Sequence, residues 1–169
     1  MCYPIIISNK ELYEKAQQST IREELGRGEN GIVELIEVDD RLVCLKRAKD
    51  GVTPLFHEQN ILIGLNGAGG APLVLYQCKD YPAYVMTFTR GVDMVEFVQH
   101  CTPDEFVRCL IALFKSLDEI HRSGYIHGDI KPDNMFVEEN ENGDIEVHVI
   151  DFGLSLKIGT PQFKHAALN

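Results

Sequence analysis

No stretch of these 169 residues approaches the roughly 20 consecutive apolar positions that a membrane-spanning helix needs. The opening residues, Met-Cys-Tyr-Pro-Ile-Ile-Ile-Ser, lack a basic segment, and their apolar run is too short for a secretory signal. No cluster of lysine and arginine occurs and the net charge is −10, which disfavours a nucleic-acid backbone as partner. No Cys-x-x-Cys pair occurs either. The five cysteines (Cys2, Cys44, Cys78, Cys101, Cys109) are odd in number and scattered, which reads as reduced thiols and not as a disulfide framework. Internal repeats and low-complexity linkers are missing. The length fits one domain or two small lobes, and 44% hydrophobic with 25% charged residues is ordinary for a globular chain. Together these absences predict a cytoplasmic or nuclear protein that touches neither membrane nor nucleic acid.

The pattern that is present changes character along the chain. After a polar lead over 9–19, residues 21–25, 32–38 and 42–47 alternate as strands, with a glycine-rich first turn and Asp39-Asp40 at the second. Apolar residues at 55, 61, 62 and 65 have helical spacing, and Gly67, Gly69 and Gly70 end that helix. Residues 73–78 and 84–88 read as two more strands. The expectation for 20–89 is thus a five-stranded antiparallel sheet with one helix, preceded by an extension over 1–19. Thr102-Pro103-Asp104-Glu105 then combines a cap, a first-turn proline and a capping box, and predicts a helix over 103–122 stopped by Gly124. Its apolar residues (Phe106, Val107, Leu110, Ile111, Leu113, Phe114, Leu117, Ile120) span about 200° of the circumference, wider than one contact face requires. Strands at 135–138 and 145–150, joined by an Asn/Gly turn, follow.

Three groups of residues carry chemistry. Gly26-x-Gly28-x-x-Gly31-x-Val33 lies between two strands, where glycines let backbone amides approach phosphates; a helix would follow in a dinucleotide fold, and here a strand does. Lys46 stands on the third strand. Glu58 stands on the next helix with Leu55 and Leu62 about a turn away on either side, so it points inward and needs a cation, for which Lys46 is the natural partner. Finally, His127-Gly128-Asp129-Ile130-Lys131-Pro132-Asp133-Asn134 is followed by Asp151-Phe152-Gly153. That set supplies a base, a cation and two oxygen ligands for a divalent metal, which phosphoryl transfer from a nucleotide needs.

These motifs resemble those of eukaryotic protein kinases of the Ser/Thr type, over about residues 21–163. The resemblance implies an α+β, bilobal fold with a small lobe over 20–89 and a mostly helical, shortened large lobe over 90–169, the chain stopping sixteen residues after Gly153. It implies an ATP- and Mg-dependent transfer of the γ-phosphate to Ser or Thr of a protein. Asp129 matches the residue that accepts the hydroxyl proton, Lys131 the γ-phosphate cation, Asn134 and Asp151 the magnesium ligands, and His127 and Phe152 the residues that align them. Leu25, Gly26, Gly28, Gly31, Val33, Cys44, Lys46, Glu58 and Phe136 match the nucleotide site. Met86 matches the gatekeeper, with Thr87 to Thr89 offering hinge hydrogen bonds. Gly128 replaces the family's arginine, so control by phosphorylation of the following loop is not expected. Gly159-Thr160-Pro161-x-Phe163 resembles the substrate-facing end of that loop and implies a Thr160 hydrogen bond near Asp129 and Lys131. Two alternatives remain: a kinase mimic that binds nucleotide or regulates another kinase, and a small-molecule phosphotransferase, against which Lys131 and Asp151-Phe152-Gly153 argue. A homodimer or a partner kinase is expected to cover the apolar helix over 103–122.

Overall fold

The computed structural model describes residues 4–20, 22–28, 31–49 and 55–160. Ile21, Glu29, Asn30, Pro161 and Phe163, all part of the expectations above, lie outside the described residues.

Six strands form the first lobe's sheet, in the order β1-β5-β6-β4-β3-β2, where β1 is Ile5–Ile7, β2 Arg22–Gly28, β3 Gly31–Val38, β4 Arg41–Arg47, β5 Val74–Cys78 and β6 Ala83–Thr87. The five expected strands pair antiparallel. The sixth, β1, comes from the residues read as an extension and pairs parallel with β5, Ile5 opposite Tyr76. Three residues carry too little periodicity to announce a strand, and their partner lies some seventy positions away. Helix α1 (Asn9–Gln18) follows β1 and was also unforeseen. Only Leu12 and Ala16 of it are buried, so its amphipathic stripe is narrow. Its start was nevertheless written in Ser8-x-x-Glu11, a complete capping box.

The sheet is covered on both faces. Leu12 and Ala16 of α1 pack on Ile36, Val38, Val43, Leu45 and Val85, while helix α2 (Phe56–Leu65) packs Leu62 and Leu65 against Val74 and Tyr84 on the other side. Side chains of a strand alternate between faces. On β4, therefore, Val43 and Leu45 enter the α1 side, while Cys44 and Lys46 point to the α2 side, where the site lies.

The second lobe holds α3 (Met94–His100), α4 (Pro103–Arg122), a three-stranded sheet of β10 (Ile145–Val149), β9 (Met135–Glu139) and β7 (Val92–Asp93), and a two-stranded ladder of β8 (Tyr125–Ile126) with β11 (Leu156–Lys157). As expected, helix predominates in its described part, with α4 20 residues and α3 7 residues long, while five short strands form where the segments around the motif residues fold as hairpins. Thr102 and Glu105 close the capping box of α4 as expected. The helix buries Cys109, Ala112, Ser116 and Ile120 and leaves Val107, Ile111 and Phe114 at least half exposed (53%, 50% and 69%). Apart from Ile120, therefore, the core-facing stripe is marked by small residues, not by the large apolar ones. Ser116 Oγ donates to Val147 O at 2.6 Å, a contact that requires close approach of α4 to β10.

Candidate active site

Between the two lobes lies a cavity of about 660 Å³, within the ~300–1,000 Å³ usual for ligand sites. Leu25, Gly26 and Gly28 of β2 with Gly31 and Val33 of β3 form its roof, Cys44, Lys46 and Glu58 its back, Met86, Thr87 and Thr89 its connecting edge, and Asn134, Phe136 and Asp151 its floor. A Cβ placed on Gly26 or Gly28 would stand in open space, so the strand offers bare backbone at the cavity's roof. Every residue expected at a nucleotide site thus lines this one cavity. Sequence reading missed Arg27, Leu62, Pro72, Asp133 and Ile150, which line it too. Leu62 is a core residue of α2 and Ile150 a half-buried residue just after β10, and nothing in their local pattern marks a cavity. Of the connecting edge, Thr87 N–H is committed to Leu73 O at 2.9 Å and its Oγ1 accepts from Leu73 N. A backbone donor for a ligand therefore falls to Phe88 or Thr89.

At the back, Lys46 Nζ donates to Glu58 Oε2 at 2.5 Å, with both side chains over nine-tenths buried. Neither charge is tolerable alone at that depth, so each holds the other in place. Asp151 Oδ1 lies 4.0 Å from the same ammonium. Tyr84, opposite Lys46 in the β4–β6 register, is wholly buried; desolvation first, then the neighbouring Glu58 carboxylate, keep its phenol protonated well above the usual range. Burial likewise pushes the Cys44 thiol up to about 11, so it faces the cavity as a neutral, poorly nucleophilic group.

The motif segment folds back on itself between β8 and β9. Because the Ile150 carbonyl accepts from His127 Nε2 at 2.9 Å, that nitrogen carries the hydrogen; Nδ1 is then free to accept from Asp129 N–H at 3.2 Å. The edge of Phe152 packs on this ring, centroids 4.6 Å apart at 67°. Asp129 Oδ2 accepts from Lys131 Nζ at 2.8 Å and from Asn134 Nδ2 at 3.0 Å, while Asn134 Nδ2 also reaches Asp129 O at 2.9 Å. The Lys131 hydrogen bond, supported by that of Asn134, holds the Asp129 carboxyl below the usual range, and the same bond raises Lys131. Asp129 Oδ1 has no hydrogen-bond partner among the described residues. Asp151 adopts the left-handed conformation (φ 59°), uncommon for a non-glycine residue and held by the Phe152–Leu154 turn that follows it. Asp129 and Lys131 lie beyond the cavity wall, joined to it by Asn134. The expected bond from Thr160 to this pair is not formed: its N–H turns back to Lys157 O at 3.0 Å, closing the turn after β11.

A glycine-lined roof over a buried lysine–glutamate pair, above a carboxylate–lysine–asparagine cluster, defines a phosphotransferase-type cleft between two lobes. Comparison with known families names the class: residues 19–168 match the protein kinase domain, and the chain belongs to that family. Its Ser/Thr relatives include the serine/threonine-protein kinase YabT of Bacillus subtilis (strain 168), 30% identical over 83% of this chain and 44% of that protein. The probable serine/threonine protein kinase IREH1 of Arabidopsis thaliana is 30% identical over 66% of this chain and 8% of its own length. Human myotonin-protein kinase is 26% identical over 92% and 26%. The chain thus spans less than half the length of these relatives. Among the described residues no helix is long and apolar enough to cross a membrane.

Proposed function

We propose that this protein kinase domain transfers the γ-phosphate of ATP, with magnesium, to serine or threonine hydroxyls of a protein. The observation that carries the reading is the double role of Asn134: it lines the cavity and binds Asp129, so the buried Lys46–Glu58 pair and the Asp129–Lys131 pair belong to one site. The names of the relatives support the acceptor class.

In this reading the adenine lies between Val33 and Cys44 above and Phe136 below, and Lys46, braced by Glu58, holds the α- and β-phosphates. The acceptor oxygen bonds to the γ-phosphorus as the bond to the bridging oxygen breaks and ADP leaves with that electron pair. The hydroxyl proton passes to Asp129 Oδ1, and Lys131 neutralises the transferring group. The lowered pKa of Asp129 makes it a weak proton acceptor, so its main contribution is to orient the hydroxyl. The donor set fits a magnesium ion: Asn134 spends its amide nitrogen on Asp129, leaving Oδ1 free, and the Asp151 carboxylate is 44% exposed at the cavity floor. Two oxygen donors suit an ion that keeps waters and takes the rest of its shell from phosphates. Bound there, it would neutralise phosphate charge. The exposed face of α4 is the natural seat of a second copy or a protein partner.

Transfer of labelled γ-phosphate to a mixed protein substrate tests this. Asp129→Asn should lose about 10²–10⁴-fold in rate while its affinity for Mg-ATP stays close to that of the parent. Equal transfer by parent and variant would sink the assignment, and binding of Mg-ATP without any transfer would favour the mimic.

A further inference from the structure

The short helix that carries Glu58 is poorly fixed by its own sequence. Its N-cap, Leu55, makes no side-chain hydrogen bond, and no basic residue stands in its last turn. Its inner face packs on Val74 and Tyr84 of the sheet, and both of its ends are held by the second lobe. At its first turn, His57 Nε2 donates to Ser155 O at 2.8 Å, across ninety-eight residues. At its last turn, Gly64 lies so close to Tyr125 that a Cβ there would sit 2.0 Å from the phenol oxygen and 2.7 Å from Cζ. Leu55 and Leu62 pack with Phe152 between these points.

Both anchors belong to one small structure. Ser155 directly precedes β11 and Tyr125 opens β8, and these two strands form the ladder, Leu156 opposite Ile126 and Lys157 opposite Tyr125. Ile158 N–H extends it to Gly124 O at 2.8 Å. Ser155, fully buried, donates its Oγ to His127 O at 2.8 Å, one residue before Gly128. Gly128 itself (φ +83°) lies against Leu154: a Cβ would come within 2.4 Å of the Leu154 carbonyl oxygen. The segment after Asp151 is therefore laid directly on the segment before Asp129.

We propose that His57 is a positioning residue, tying α2 to the β8–β11 ladder so that Glu58 stays on Lys46, with the Gly64–Tyr125 contact closing the other end. The hydrogen bonds from His57 and Ser155 link the helix to the Asp129 loop. The assignment to a transfer reaction rests on the function proposed above; the tether itself does not.

Native-state hydrogen exchange of residues 56–65 and 154–158, with calorimetry of Mg-ATP, tests it. In the parent chain, helix and ladder should exchange as one unit. His57→Ala should speed exchange of α2 about fivefold and weaken Mg-ATP by a similar factor, as loss of one net hydrogen bond implies, while the urea midpoint of the whole domain moves little. His57→Gln, whose amide can donate to the same carbonyl, should restore both. The proposal is overturned if α2 opens well ahead of the ladder in the parent chain, if His57→Ala leaves α2 exchange unchanged, or if glutamine fails to restore it. A parent chain that binds no Mg-ATP would remove the functional reading alone, leaving exchange to decide the tether. Should His57→Ala fail to fold, the parent's exchange pattern and the glutamine variant decide.

Discussion

Helices α2 and α4 are built on opposite principles. The longer, α4, has a capping box, a first-turn proline, acidic residues at its start and His121 and Arg122 at its end, so local sequence alone favours it. It is nevertheless bare over much of its apolar surface. The shorter α2 has almost none of these devices, yet buries Glu58, Gln59, Ile61, Leu62 and Leu65. A helix that carries a functional side chain needs a defined position more than intrinsic stability, and position comes from tertiary contacts. The comparison teaches where to look for sensitivity: α2 should respond to changes in partners far along the chain, and α4 to changes in its own caps and its narrow stripe of small residues.

The largest expected effect falls on α2. Glu58→Ala leaves the Lys46 ammonium buried without its partner, which typically costs ~3–5 kcal/mol. The low end is expected here, because Asp151 Oδ1, 4.0 Å away, takes up part of the charge. Glu58→Ala with Lys46→Met removes the unpaired charge and should recover most of the loss. Urea unfolding of the four chains in the cycle measures this; single and double variants of equal stability would show that Lys46 finds water or another partner and that the pair does not fix α2.

On α4 the two faces should separate sharply. Ala112→Leu adds volume where the helix meets Met94, Met135 and Val147, and overpacking of that kind costs ~1–3 kcal/mol. Ile111→Ser, one position away but half exposed, should stay within about 0.5 kcal/mol of the parent. Together with Val107→Ser it should also abolish any self-association seen by light scattering, leaving Mg-ATP binding intact. Equal cost on the two faces would mean that the outer face is covered in solution. Next in size, Thr102→Ala removes the cap and should cost ~1 kcal/mol, read as a fall in thermal midpoint.

What the sequence made legible follows the same division. The candidate site residues were readable as a group because phosphoryl-transfer chemistry demands fixed types at fixed spacings: Lys46, Glu58, Asn134 and Asp151 all line one cavity. The α4 boundaries were readable because caps are local. Strand β1 was not, since its pairing with β5 is decided by a distant partner. Nor was α3, whose Asp93–Glu96 cap was the only cue and which buries only Met94. The inward face of α4 was misleading, because tight packing against β10 selects Cys109, Ala112 and Ser116, residues that carry little hydrophobic signal. Large apolar residues announce burial somewhere; close approach of backbones is announced by small ones.

The smallest expected effect is on pH dependence, and it sharpens the contrast between a buried and an exposed pair. Unlike Lys46 and Glu58, Asp129 and Lys131 are partly open to solvent, their side chains 29% and 47% exposed. Lys131 lowers the Asp129 pKa, so the pair's contribution to stability is complete above the unfolded carboxyl pKa and fades as pH falls through the lower, folded value. Lys131 is raised by the same bond, so on the alkaline side the contribution is complete below the unfolded lysine pKa and fades as pH rises through the higher, folded value. Between those limits, neutral pH included, the pair should add a flat and small increment, as exposed ion pairs do. The difference in thermal midpoint between the parent chain and Asp129→Asn should therefore be constant from about pH 5 to pH 9, on the ordinary pKa scale, and shrink beyond either end. The carboxyl carbon of Asp129, followed by NMR, should titrate below its ordinary range. A midpoint in or above that range would show that Lys131 does not hold the carboxylate in solution, and that Asp129 Oδ2 is free to take the acceptor proton itself.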